Sequence, residues 1–172
     1  MNEAMNNLLE RRSVRRYQDT QVPDDLLDQI LEAGLYAPTG MNRQNIVMVA
    51  VRDRETRDRL MRMNAAVMGS QNDPFYGAPC VIVVLGDPET YPVVENGSLV
   101  LGNLMNAAHA VGLGSCWIHR AKQMFETEEG KALLRQWGLK ESLVGIGNCI
   151  LGYPAEEPAA KPRLDGRIVK IG

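Results

Sequence analysis

The chain has 172 residues, 45% apolar and 23% charged, with a formal net charge of −2. That length supports one domain with a real core, and the slight acidity argues against a general polyanion-binding surface and so against nucleic acid as partner. No run reaches the roughly 18 uninterrupted apolar residues of a membrane span, and the first residues lack the basic patch and apolar stretch of a secretory signal.

In chain order, a short helical stretch leads into Arg11-Arg12-Ser13-Val14-Arg15. Leu26, Leu27, Ile30, Leu31 and Leu35 recur at helical spacing after Pro23-Asp24, so the pattern predicts an amphipathic helix over 24–36. Pro38-Thr39-Gly40-Met41-Asn42 follows as a turn, in which Pro stops the helix, Gly40 permits a positive φ, and Thr39 and Asn42 offer short polar arms. Ile46 to Val51 has strand length and β-branching, and Asp53 then caps a helix carrying Leu60, Met61, Met63 and Met68. The loop Gln71 to Pro79 holds Phe75 and Tyr76, and Cys80 to Leu85 reads as a fully buried strand. Ser98 to Val111 is helical in composition but apolar on most sides, which implies burial nearly all round, by a second subunit as well as by its own sheet. Within it Asn103, Asn106 and His109 read as polar groups satisfied at that subunit contact, and Gly102, Ala107 and Ala108 would let a helix approach. Gly112 and Gly114 read as a helix C-cap and a tight turn before a strand at Ser115 to Ile118; that order is the reverse of a dinucleotide loop. Thr127-Glu128-Glu129 opens a helix that Gly138 ends, and Leu143 to Leu151 is the last strand. Helices interleaved with strands give a three-layer α/β or α+β sandwich.

The chemistry is concentrated in a few places. Three guanidinium groups and a hydroxyl within Arg11, Arg12, Ser13 and Arg15 suit phosphate oxygens, so a small phosphorylated guest fits them; the plain alternative is a solvated basic turn. Cys80, Cys116 and Cys149 lie in apolar contexts and read as buried thiols of a reducing compartment, with cytoplasmic location the expectation. Cys116 and His119 make a C-x-x-H pair, but no second pair has matching spacing, so no metal site is expected. His119, one of two histidines, could donate a proton or bind an anion when charged, and Arg120 could meet a substrate carboxylate or a dinucleotide phosphate; surface exposure is the bland reading of both.

The R-R-S-x-R opening, the A-P-T-G-x-N-x-Q segment from Ala37 to Gln44, G-L-G-S-C-W-I from Gly112 to Ile118, and L-G-Y-P…K-P-R from Leu151 to Arg163 together resemble the FMN-dependent nitroreductase family, over about Leu8 to Arg163. The resemblance implies a single nitroreductase-like domain over 1–172: an α+β, three-layer α-β-α sandwich with a mixed central sheet, in an intertwined homodimer with two flavin sites at the interface. It implies that Arg11 and Ser13 bind the FMN phosphate with Lys161 and Arg163 beside them, that Arg12 lies along the ribityl chain, and that Arg15 reaches the pyrimidine edge. Pro38, Thr39, Gly40 and Asn42 would come from the other subunit, and Trp117, Ile118, His119 and Arg120 would lie near the reactive face, where a backbone N–H donates to N5. Many family members have an acidic residue and a glycine where this chain has His119 and Arg120, and the chain is too short for inserted lid helices. The implied activity is ping-pong reduction of an electrophilic small molecule, such as a nitroaromatic or quinone, with NADH or NADPH as donor and no catalytic side chain, because the flavin carries the redox chemistry. Two alternatives are a flavin-binding protein without turnover and an enzyme of phosphorylated metabolites without flavin.

Overall fold

The computed structural model describes residues 2–172. The chain alternates helices and strands: α1 (Glu3–Glu10), α2 (Asp24–Leu35), β1 (Ile46–Val51), α3 (Arg54–Met68), β2 (Cys80–Gly86), α4 (Val93–Ala110), β3 (Gly114–Ile118), α5 (Ala121–Glu126), α6 (Glu128–Gln136) and β4 (Val144–Gly152). The strands form one sheet in the order β1-β2-β4-β3.

β2 explains the three layers. All seven of its residues are buried, and successive side chains of a strand point to opposite faces. Val81, Val83 and Leu85 join one core with Leu60 and Met63 of α3, Met124 and Phe125 of α5, and Leu133 and Leu134 of α6. Cys80, Ile82 and Val84 join the other with Leu27 and Ile30 of α2 and Val100, Leu101 and Leu104 of α4. A strand apolar on both faces requires helices on both faces.

The expected mixed sheet is corrected: all three strand pairings are antiparallel. Val51 at the end of β1 pairs with Val81 near the start of β2, so α3 runs out and the 69–79 segment returns the chain to the same end of the sheet. A connection that returns to its starting end gives antiparallel neighbours. Parallel pairing is confined, among the described residues, to one bridge between Ser13 and Ser115.

The helix ends follow local chemistry. Asp53 accepts from Thr56 N at 2.8 Å and Thr127 from Gly130 N at 3.0 Å, each capping the helix that follows. Gly112 and Gly138, with φ of 80° and 70°, stop α4 and α6 in the left-handed region. α4 is not buried all round within one chain. Its Val100, Leu101, Leu104 and Ala108 face the sheet, while Leu99 is 47% exposed and a Cβ on Gly102 would meet nothing. Asn103 is satisfied within the chain, donating to Ala33 O at 2.9 Å, and Asn106 O accepts from Asn7 Nδ2 at 3.0 Å.

Candidate functional site

The Arg11–Arg15 segment leaves α1 and lies along β3. Val14 N donates to Ser115 O at 2.9 Å, and Val14 is buried. This contact explains Gly114, which does not take a positive φ: a Cβ there would sit 2.9 Å from Val14 Cβ. Glycine is needed for close approach, not for a turn. The segment is laced on its other side to the chain after β4. Arg15 N donates to Glu156 Oε1 at 2.6 Å, Gln18 N to Tyr153 O at 2.9 Å, and Ala155 N to Arg16 O at 2.8 Å. Tyr17 OH donates to Val14 O at 2.6 Å, and burial pushes its phenol well above its ordinary pKa.

Two clefts result, each walled by part of 11–15 and part of β3. The first, about 460 Å³, is walled by Arg11, Arg12, His109, Ser115 and the glycine corner 112–114. Arg11 Nη1 and Ser115 Oγ are both buried there without a hydrogen-bond partner. Two orphaned polar groups in one cleft are costly, and an oxyanion accepting from both would relieve them. Arg12 instead donates through Nη1 to Leu9 O at 2.6 Å and Arg11 O at 2.8 Å, tying down the last turn of α1.

The second cleft, about 410 Å³, is walled by Arg15, Asp73, Tyr76, Trp117, His119 and Arg120, among others. The Arg15 guanidinium lies over the Tyr76 ring at 5.9 Å, and the Trp117 and His119 rings are 5.5 Å apart. Ile118 is buried and fixes the strand end. Asn64, fully buried on α3, holds the next two residues: its Nδ2 donates to His119 O at 2.8 Å, and its Oδ1 accepts from Arg120 Nε at 2.9 Å. Arg120 has φ of 76° and forms the N-cap of α5.

The turn after α2 is built differently from its sequence reading. Positive φ falls on Met41, Asn42 and Gln44 and not on Gly40, whose Cβ would sit 2.7 Å from the Pro92 ring. Gly40 N donates to Asn96 Oδ1 at 2.8 Å, and Asn96 Nδ2 donates to Asn45 Oδ1 at 3.0 Å, so a buried α4 side chain fixes the turn. Pro38, Thr39, Gly40 and Asn42 line neither cleft; Thr39 belongs to a smaller hollow of about 160 Å³ between α2, β1 and α4. Lys161 and Arg163 lie on the exposed tail, and Pro154, Glu156, Glu157 and Pro158 close the Arg11 cleft on that side. One chain therefore brings together Arg11–Arg15 with Trp117–Arg120, and leaves the turn and the tail apart.

Ser115, Asn64 and Arg57 are the residues that pattern reading missed. Arg57 is buried, donating from Nε to Ala78 O at 2.9 Å and pairing through Nη2 with Asp73 Oδ2 at 3.0 Å. Their signal in sequence is a polar residue on an apolar strand or helix face, which becomes informative once the face is known. Burial pushes the Cys80 thiol up to about 12 and raises Cys116 and Cys149 as well. Among the described residues, no three His, Cys, Asp or Glu side chains gather as a metal site, and no helix is long and apolar enough to cross a membrane.

Comparison with known proteins places the fold and the sequence in one family. A protein of Archaeoglobus fulgidus is 35% identical over 163 residues, spanning 91% of this chain and 88% of its own length. The FMN reductase (NAD(P)H) of Bacillus subtilis is 26% identical over 181 residues, covering 95% of this chain and 71% of its own. The crystal structure of a nitroreductase with bound FMN from Bacteroides fragilis superposes with a TM-score of 0.90 at 29% identity, over 100% of both chains. The family model described as Nitroreductase matches residues 8–72 and 62–153. With nearly the whole chain matched and the α+β sandwich shared, this protein belongs to the nitroreductase family.

Proposed function

We propose that this protein is an FMN-dependent oxidoreductase that takes reducing equivalents from NADH or NADPH and reduces an electrophilic small molecule. The observation that carries this reading is the pair of buried, unpartnered donors, Arg11 Nη1 and Ser115 Oγ, on residues of one cleft, while the same two segments, 11–15 and β3, also wall a second, aromatic-lined one. The residues fit a flavin mononucleotide. Arg11 and Ser115 would hold the phosphate in the first cleft, with Ser13 bridged to Ser115 behind its wall, and Arg15 would stand at the pyrimidine edge in the second, where a cation favours the charge that reduction brings. Bound FMN would supply the redox chemistry between the nicotinamide donor and an electron-poor acceptor. The chain's own part is to anchor, orient and shield: Trp117 and Tyr76 wall the second cleft, and the Asn64 clamp fixes the backbone at His119 and Arg120.

The working unit in this reading is a homodimer. Met5, Leu8 and Leu9 on α1, Leu35 and Tyr36 at the end of α2, and Leu99 on α4 are exposed on the same helical layer. A second copy packed there would cover them and bring its 38–42 turn to the clefts. Lys161 and Arg163 on the tail would join the phosphate site in that assembly.

The test is an anaerobic visible spectrum of FMN-reconstituted protein before and after NADH, then NADPH. A bound flavin that bleaches and is reoxidised by an added quinone or nitroaromatic supports the enzyme. Bound flavin that stays oxidised with both donors favours a flavin-binding protein without turnover. Failure to retain flavin removes the assignment of Arg11 and Ser115.

A further inference from the structure

Arg120 stands in a conformation that suits glycine, and among the described residues no carboxylate neutralises its charge. Its φ of 76° lies in the left-handed region, where side chains other than glycine, Asn and Asp are uncommon and strained. The strain is held by Asn64, fully buried, which takes the Nε proton of Arg120 and donates to the carbonyl of His119. Only Nε is used in this way, and no carboxylate pairs with Arg120 or Arg15 among the described residues. The one acid on the cleft wall, Asp73, is spent elsewhere. Its Oδ1 accepts from Phe75 N at 2.7 Å, and its Oδ2 accepts from Gly77 N at 2.8 Å and Arg57 Nη2 at 3.0 Å. The second cleft thus presents two guanidinium groups without a carboxylate partner beside Trp117 and His119, and the one carboxylate among its described lining residues is already engaged by Arg57 and two backbone N–H groups.

We propose that Arg120 is a specificity-determining residue that docks an oxyanion, carboxylate or phosphate, carried by a substrate of the second cleft. Arg15 is assigned to the flavin edge, so the discriminating cation is Arg120. A guanidinium fixed through Nε keeps its paired η nitrogens for two oxygens of a planar or tetrahedral anion. The anion has two possible carriers: an acidic electron acceptor, such as an aromatic carboxylate, or the 2′-phosphate that distinguishes NADPH from NADH. As a statement about the reaction this inference rests on the flavin reading above.

Arg120→Gly is the informative variant, because glycine suits a φ of 76° and removes the guanidinium without backbone strain; its one local cost is the buried Asn64 Oδ1 left without the Nε donor, which a thermal melt of the variant reads separately. On FMN-loaded protein, kcat/KM is measured for 4-nitrobenzoate and for its neutral isostere 4-nitrobenzamide, and separately for NADPH and NADH. Calorimetric titration with unreactive benzoate and benzamide gives a second readout that does not depend on turnover. An acidic acceptor is indicated if the nitrobenzoate-to-nitrobenzamide ratio falls about tenfold or more, through KM, with matching loss of benzoate binding and partial rescue by Arg120→Lys. A similar fall in the NADPH-to-NADH ratio assigns the anion to the donor. If both ratios and the benzoate affinity stay within about twofold of wild type, the inference is wrong. Protein that retains no flavin would instead refute the flavin reading, which keeps the two failures distinguishable.

Discussion

At the scale of single residues, the two orphaned donors make opposite demands on stability and binding. Ser115 Oγ is buried without a partner, and such a group costs about 1–3 kcal/mol relative to a satisfied one. Ser115→Ala should therefore leave the flavin-free protein as stable as wild type or more so, while weakening FMN binding about five- to tenfold. Arg11→Gln should weaken FMN binding more, about ten- to a hundredfold, because a charge-assisted contact is lost. Fluorescence titration of FMN and thermal melts of the flavin-free proteins check both halves. If Ser115→Ala lowers the melting temperature and leaves affinity untouched, the hydroxyl is structural. The cysteines allow a separate check. Their pKa values are raised by burial, Cys80 to about 12, so the folded protein keeps protons that the unfolded chain releases near pH 9. Stability from these thiols is complete below that pH and declines as pH rises toward 12. The thiols should stay silent to a disulfide reagent at pH 8 until denaturant unfolds the chain.

At the scale of elements, α3 does two jobs that its own pattern does not announce. It buries Leu60 and Met63 in the core, and it carries Arg57 and Asn64, which hold the loop before β2 and the end of β3. Arg57 also lies over the Phe75 ring at 5.7 Å. Arg57→Met would strand Asp73 with an unpaired carboxylate that is two-thirds covered. We expect a loss of about 2–3 kcal/mol in urea unfolding, below the full cost of a deeply buried pair, and faster proteolysis within residues 69–77. Because Tyr76 belongs to that loop and walls the second cleft, KM for the acceptor should rise more than kcat falls. An unchanged proteolysis pattern would show that the loop does not need the clamp. The same helix shows what was legible beforehand. Periodicity and the Asp53 cap located α3, as apolar runs located β1 and β2, because those signals are local. Asn64, Arg57 and Asn96 were not legible, since each matters through a partner at least 16 residues away. α5 was missed because six residues are too short for periodicity to register. Gly40 and Gly114 were recognised as special, but for the wrong reason: turn chemistry is visible in sequence, and close approach by Pro92 or Val14 is not.

At the scale of the whole molecule, the two helical layers are unequal. The layer of α3, α5 and α6 closes over its core, while the layer of α1, α2 and α4 leaves Leu8, Leu9, Leu35 and Leu99 open. The tail adds to this imbalance. Beyond Tyr153 no residue joins either core, and Leu164, Ile168, Val169 and Ile171 are all at least 78% exposed. A segment that exposes four large apolar side chains while contributing nothing to its own core gains most by lying on another surface. In the proposed homodimer the open layer of a second copy would supply such a surface, and Lys161 and Arg163 precede those apolar residues in the chain. Deleting residues 159–172 should therefore leave far-ultraviolet circular dichroism unchanged, because every strand and helix ends before it. It should shift sedimentation from dimer toward monomer at micromolar concentration and weaken FMN binding in the same step. If the shortened chain stays dimeric with full FMN affinity, the helical layer alone holds the dimer, and the tail cations are no part of the phosphate site. If affinity falls while the dimer persists, the tail serves the phosphate site without holding the subunits together.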